Sequence, residues 1–335
     1  MNGEVAVIGD GAMGTLCAIM LAENGCAVRL WSAFPAAAER LERERENTRF
    51  LPGRRLDDGV RVTADDADAL DGAELAVSAV PTQFMRDVWR RLAPTCPPDL
   101  PLCSVAKGIE NATLLRPTQI LRDVLDGAEP TRPIAALSGP SVAPELADRL
   151  PATVVVASDD QVLARRVQEL MSRPYLRIYT NADLVGVELA GATKNVIAIA
   201  AGILDGLAAG CNAKAALLTR GLAEISRLGL AMGARADTFS GLAGAGDLVT
   251  TCFSPVGRNR SFGQAVGAGK TVDEALAAAA GVVEGVATTA GVIELAARHG
   301  VDMPITQAVR DVLGGRRGCA EAIDELMTRP LKAEC

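Results

Sequence analysis

A lysine set inside an apolar helix is a reagent for moving protons, and residues 186–206 contain one. From Gly186 to Gly206 the chain is rich in Ala, Ile and Leu and apolar nearly all round, the pattern of a buried helix. Thr193, Lys194 and Asn195 interrupt it. An ammonium there loses hydration, which lowers its pKa toward a value suited to giving and taking protons. The competing reading is a lysine whose stem crosses apolar surface while its head reaches water. Lys107 is a second cation, just past an apolar strand expected over Leu102–Ala106. Asp247 closes a glycine-rich stretch that begins at Gly241 and could orient or ion-pair a lysine. Gly257-Arg258-Asn259-Arg260-Ser261 places two guanidinium forks and an amide on one turn. That set matches a phosphate dianion, the alternative being a solvated surface turn.

A separate stretch carries binding chemistry. Glu4–Ile8 reads as a buried parallel strand, followed at once by Gly9-Asp10-Gly11-Ala12-Met13-Gly14 and a helical pattern through Leu21. This is the dinucleotide-binding glycine motif in its proper place: Gly9 for the tight turn, Gly11 for approach of a pyrophosphate, Gly14 for close packing of helix on strand. The helix start then offers free N–H groups to the phosphates. The next strand, Cys26–Trp31, ends in Ser32-Ala33-Phe34, without the acid that normally grips the adenine ribose 2′-OH. The pocket is therefore expected to accept or prefer NADP rather than demand NAD. Arg40 and Arg43 follow, on a helix face that reads as solvated.

These groups need elements to hold them. Strand patterns recur at Glu74–Val80, Leu102–Ala106, Ile134–Leu137, Thr153–Ala157 and Leu176–Tyr179, with a helix around Arg165–Met171. Three of these strands end in small or polar residues: Pro81-Thr82-Gln83, Lys107-Gly108 and Ser138-Gly139-Pro140-Ser141. In open α/β sheets ligands bind beyond such carboxyl ends. After Asp183 strand signals vanish. Helices are expected over 213–232, with Arg220 and Glu224 at i,i+4 spacing, over Thr288–His299 with His299 as its end residue, and over Ile305–Leu313. Gly241–Asp247 reads as a loop. The expected architecture is an α/β Rossmann-like domain over residues 1–182 and an all-α domain over 183–335.

Composition narrows the partners. The 335 residues are 49% hydrophobic and carry a net charge of −7, so two cores are expected and no basic field invites nucleic acid. Aromatics are only 3%, too few for base stacking. An anionic substrate must be held by a few local cations. Cys17, Cys26, Cys96, Cys103, Cys211, Cys252, Cys319 and Cys335 form no Cys-x-x-Cys pair, and there is one histidine, so no metal site is expected. Several cysteines read as small core residues. No secretory leader is visible, and no clean apolar run is counted as reaching the ~20 residues of a membrane span. A cytoplasmic protein is the expectation.

Taken together, the motifs resemble bacterial-type NAD(P)-dependent glycerol-3-phosphate dehydrogenase over about residues 4 to 316. The carriers are Gly9–Gly14, Ala79–Pro81, Ala106–Glu110, Leu137–Ser141, Val187–Val196, Asn212–Lys214, Thr219–Glu224, Gly244–Leu248, Gly257–Arg260, Val282–Gly285 and Met303–Thr306, in this order. The resemblance implies reversible reduction of dihydroxyacetone phosphate to sn-glycerol 3-phosphate for phospholipid synthesis. The fold it implies is a Rossmann-like domain followed by a helical domain like that of 6-phosphogluconate dehydrogenase. By matching position, Lys194 is implied as proton donor and acceptor, with Lys107 touching cofactor and substrate. Gly139, Ser141, Asp247, Gly257, Arg258 and Asn259 are implied as substrate contacts. Cofactor contacts are implied at Gly9, Gly11, Ala12, Met13, Gly14, Ala33, Ala143, Arg258, Val282 and Glu284. The implied cofactor is NAD or NADP with no metal, and a homodimer is compatible with the resemblance. The chain departs from the common family sequence at Asp10, Ala12-Met13 and Ser32-Ala33-Phe34, all on the cofactor side. The rivals are a related two-domain dehydrogenase acting on another keto or hydroxy substrate, and a catalytically silent nucleotide sensor on the same scaffold.

Overall fold

The structure, a computed structural model, describes residues 2–126, 132–279, 281–331 and 333; Cys335 lies outside them. The first half alternates short apolar strands with helices. Its strands are β1 (Asn2–Ile8), β2 (Cys26–Trp31), β3 (Val60–Thr63), β4 (Leu75–Ser78), β5 (Leu102–Ser104), β6 (Ile134–Ser138), β7 (Ala152–Ser158) and β8 (Leu176–Asn181). They form one sheet in the order β3-β2-β1-β4-β5-β6-β7-β8. Pairing is parallel except between β6 and β7, which run antiparallel. Alternate residues feed opposite faces: Val5 and Val7 join one apolar cluster, Ala6 and Ile8 the other. Both faces are covered by helices, which is why the strands read as continuous apolar runs.

The strand β3 was not among the expected ones. It is four residues long with an exposed Arg61, too short for its alternation to stand out. The antiparallel turn between β6 and β7 is likewise invisible in local pattern, since both strands are apolar on both sides.

The second half is built around the helix Leu184–Gly206. The expectation about membrane spans needs correction here: this helix is long and apolar enough, by length and composition alone, to cross a bilayer. Its surface is nearly all buried by the chain itself. Helices Gly210–Ala231, Asp247–Phe253, Arg258–Gly267, Glu284–Arg298 and Pro304–Leu313 pack around it. Glu188, near its start, is tied to the first half: it accepts bonds from Arg116 and from the Thr118 N–H (2.8 Å) and hydroxyl (2.7 Å). This satisfies a carboxylate that burial would otherwise penalise. His299 is the C-cap of the helix Glu284–Arg298, at the helix end as expected.

Two other expectations change. Gly241–Asp247 is not an open loop: Leu242–Gly246 forms a π-helical turn leading straight into Asp247–Phe253. Glu224 does not pair along its helix with Arg220. It is buried, and accepts from the N–H groups of Ile305 (2.7 Å) and Thr306 (3.2 Å), capping the helix that starts at Pro304.

The Arg258–Gly267 helix lies against Leu184–Gly206 at backbone distance. A Cβ on Gly202 would stand 2.0 Å from the Arg260 carbonyl oxygen, and one on Gly263 2.1 Å from that of Ile199. Backbone cannot yield as a side-chain tip can. Gly202→Ala should therefore lower stability by about 2 kcal/mol or more, read as a drop in the thermal unfolding midpoint; an unchanged midpoint would contradict this packing.

Candidate active site

The carboxyl ends of the strands and the inner face of the helical half enclose a cleft of about 1060 Å³. At one end lies the glycine motif. Gly9 has φ +110°, and a Cβ on Gly14 would fall 1.8 Å from the Gly9 carbonyl oxygen, whereas one on Gly11 would meet nothing within 4 Å. The open side of Gly11 faces the start of helix Ala12–Glu23, which no side chain caps. Free N–H groups at an uncapped helix start, beside a glycine with space before it, fit a pyrophosphate. Gly9, Gly11, Ala12, Met13, Ala33, Ala143, Val282 and Glu284 all line this cleft. Gly14 does not; it is buried where helix meets strand. Arg40 is exposed, as expected, and also lines the cleft, while Arg43 is paired with Glu44 (3.1 Å).

At the other end two lysines share one carboxylate. Lys194, only 6% exposed, donates from Nζ to Asp247 Oδ1 (2.7 Å) and to Thr251 Oγ1. Lys107 donates from Nζ to Asp247 Oδ2 (2.6 Å), to the Gly139 carbonyl (3.0 Å) and to Ser141 Oγ (3.3 Å). Asp247 is 2% exposed. Two ammonium groups on one carboxylate leave a buried positive charge in excess, a state that is costly unless an anion joins it. Burial lowers the Lys194 pKa from 10.5 to about 8; Asp247 works against that fall and Lys107 deepens it. Burial likewise raises the Glu284 carboxyl, opposed by Arg258, Lys107 and Lys194. The nearby Cys252 thiol is pushed up to about 12 by burial, which makes it inert.

Beyond the lysines, Gly257 and Arg258 begin the Arg258–Gly267 helix. Arg258 is exposed in the cleft and commits one N–H to the Val282 carbonyl (3.0 Å). Asn259 is pinned: its Nδ2 donates to Asn195 Oδ1 (3.0 Å) and its Oδ1 accepts from the Gly285 N–H (2.9 Å). Arg260, grouped with them on sequence, pairs instead with Asp205 (2.7 Å), which also holds Lys214 (2.9 Å). The basic turn thus offers one arginine with spare donors rather than two.

Of the substrate contacts expected on sequence, Lys107, Ser141, Lys194, Asp247, Gly257, Arg258 and Asn259 line this cleft; Gly139 does not, and it and Ser141 spend their oxygens on the Lys107 ammonium. Thr251 and Asn195 were missed as site residues. Thr251 stands four residues after Asp247, one turn on and on the same helix face, which is the signal that could have found it. Asn195, the neighbour of Lys194, also donates to the Lys107 carbonyl (3.2 Å), so it ties both lysine-bearing segments to Asn259. Thr193 bonds back to Leu189 of its own helix (2.6 Å).

The chain is similar to known proteins over its whole length. Residues 4–164 match the family model for the NAD-dependent glycerol-3-phosphate dehydrogenase N-terminus, and residues 183–324 that for its C-terminus. A glycerol-3-phosphate dehydrogenase [NAD(P)+] from Geobacter metallireducens is 47% identical over 334 residues, covering 100% of this chain and 99% of that one. One from Streptomyces griseus is 46% identical over 332 residues, covering 99% and 98%. A crystal structure of glycerol-3-phosphate dehydrogenase from Coxiella burnetii superposes with a TM-score of 0.93 at 36% identity, covering 98% of this chain and 99% of that one. With both of its halves matched and full-length relatives at this identity, the chain belongs to the NAD-dependent glycerol-3-phosphate dehydrogenase family.

Proposed function

We infer that this protein is an oxidoreductase that interconverts dihydroxyacetone phosphate and sn-glycerol 3-phosphate with NAD(P)(H), Lys194 being the proton donor and acceptor. The observation that carries the assignment of Lys194 is its buried ammonium, sharing Asp247 with Lys107 inside the cleft. When bound, the reduced nicotinamide supplies hydride to the substrate carbonyl carbon. The Lys194 ammonium then meets the negative charge that grows on the carbonyl oxygen and gives it a proton. In the reverse direction the neutral amine takes that proton back. Asp247 holds both ammonium groups in place and keeps Lys194 protonated near neutral pH. Lys107, fixed by Gly139 and Ser141, adds a second positive charge to the same oxygen-binding region. Arg258 uses its spare donors on the substrate phosphate, which keeps the carbonyl from sliding away.

Residues 1–182 hold the cofactor and residues 183–335 supply the proton and the phosphate clamp. The product is the backbone on which glycerophospholipids are built, and we place that use in the cytoplasm, where both nicotinamide nucleotides are supplied.

The direct test is oxidation of NADH and of NADPH with dihydroxyacetone phosphate, each cofactor alone. Turnover with this ketone, and little with a keto acid lacking phosphate, is expected; the opposite preference would overturn the substrate reading. Arg258→Ala should raise the substrate KM by roughly ten- to a hundredfold, as loss of charge-assisted bonds to a dianion does. An unchanged KM would remove Arg258 from the phosphate clamp.

A further inference from the structure

The turn that leads to Arg258 is held by a carboxylate the proposed reaction does not use. Residues 254–257 join the helix Asp247–Phe253, which bears Asp247 and Thr251, to the helix Arg258–Gly267. Pro255 and Val256 are exposed, so packing does little to fix them. The bonds across the turn are long. The Gly257 N–H reaches the Ser254 carbonyl at 3.3 Å, the Ser261 hydroxyl the Pro255 carbonyl at 3.4 Å, and an Arg260 N–H the Ser254 carbonyl at 3.5 Å. Bonds of that length are weak.

Asp205 supplies the short tether. It stands one residue before the end of the central helix Leu184–Gly206, and its Oδ2 accepts from Arg260 Nε at 2.7 Å. Arg260 follows Arg258 by two residues, in the same first turn of helix. Asp205 is itself fixed from the other side: Lys214 Nζ donates to both of its carboxylate oxygens, each at 2.9 Å. The same ammonium lies 4.7 Å from the centroid of the Phe253 ring, at the end of the helix before the turn. The side chains of Asp205, Lys214 and Arg260 are 20%, 10% and 15% exposed, so these charge-assisted bonds hold their geometry better than surface pairs do. One carboxylate thus ties both ends of the turn to the helix that carries Lys194.

We propose that Asp205 is a positioning residue for the phosphate clamp: through Arg260 it fixes the start of the Arg258–Gly267 helix, and so sets where the Arg258 guanidinium stands relative to Lys194. This rests on the reading of Arg258 as the phosphate contact. The same pairing keeps Arg260 off the substrate, although Arg260 also lines the cleft. The phosphate then has one arginine to meet in one place, which holds the carbonyl in register with the proton donor.

Steady-state kinetics with dihydroxyacetone phosphate and with dihydroxyacetone, which lacks the phosphate, read the clamp against the rest of the site. The wild type should strongly prefer the phosphorylated ketone; equal turnover of both would overturn the phosphate reading, and this inference with it. Asp205→Asn should lower kcat/KM for dihydroxyacetone phosphate by roughly ten- to thirtyfold, chiefly through KM, and change that for dihydroxyacetone by less than about threefold. Arg260→Gln leaves the Asp205–Lys214 pair in place and should show the same split; it carries the test should Asp205→Asn not fold. In an Arg258→Ala background either substitution should cost less than about threefold, because the group it acts through is gone. Equal losses for both ketones, no loss for dihydroxyacetone phosphate, a full loss in the Arg258→Ala background, or a lowered KM from a freed Arg260 would each overturn the positioning role while leaving the phosphate reading standing.

Discussion

Replacing Lys194 by alanine should reduce kcat for ketone reduction by roughly a thousandfold or more, with binding of the dinucleotide preserved. Two contributions are lost together. The proton no longer has a donor within reach, and the alkoxide charge loses a desolvated cation; such groups supply factors of about 10² to 10⁴ each. Dinucleotide binding survives because the glycine motif and the Ala12–Glu23 helix stand at the far end of the cleft. Folding should survive too, since Asp247 keeps Lys107 as its partner. Single-turnover kinetics and a fluorescence titration with the reduced cofactor measure the two halves of this expectation. Retention of more than about a tenth of wild-type kcat would refute the role of Lys194.

The wild-type enzyme adds a pH signature. In the mechanism proposed above, the ammonium form serves reduction and the neutral amine serves oxidation. With the Lys194 pKa lowered to about 8, kcat for reduction should fall as pH rises through that value, and kcat for oxidation should rise over the same interval. Profiles of both directions that lack these opposed limbs would argue for another proton carrier.

Asp247→Asn should have the second largest effect, roughly a hundredfold on kcat for reduction at pH 7. The carboxylate is the group both lysines share, at 2.6 and 2.7 Å. Without its charge, Lys107 and Lys194 repel each other across a buried space, and the influence that raises the Lys194 pKa is gone. The alkaline limb for reduction should therefore move to lower pH. Oxidation, which needs the neutral amine, should lose less at pH 7 than reduction does. That asymmetry separates an electrostatic role from simple damage to the fold, which would depress both directions alike. Equal losses in both directions, with the limb unmoved, would show that Asp247 acts only as a prop.

Much of this was legible because it is local. The β1 strand, the glycine motif and the helix after it follow one another within about twenty residues, and each signal is a short-range steric or periodic one. The central helix announced itself by composition, and so did the oddity of Lys194 within it. What failed was mostly weak local signal. Val60–Thr63 is too brief to register, and Gly241–Asp247 has loop composition yet is held helical because Gly244 packs onto the Phe239 backbone, where a Cβ would stand 2.0 Å from the carbonyl oxygen.

By itself the sequence picked out the candidate residues and the elements on which they ride: Lys107 after a strand, Lys194 within a helix, Asp247 at the head of another, Arg258 on a glycine-led turn. Only the tertiary structure decided who meets whom. Lys107 and Lys194 reach the same carboxylate from 140 and 53 residues away. Arg260 is drawn off to Asp205, which also holds Lys214, while its neighbour Arg258 stays in the cleft. Periodicity fixes the direction of a side chain relative to its own helix or strand. The partner it finds depends on how closely those elements approach, and here that is set by backbone-to-backbone packing at glycines such as Gly202 and Gly263, which no local pattern encodes.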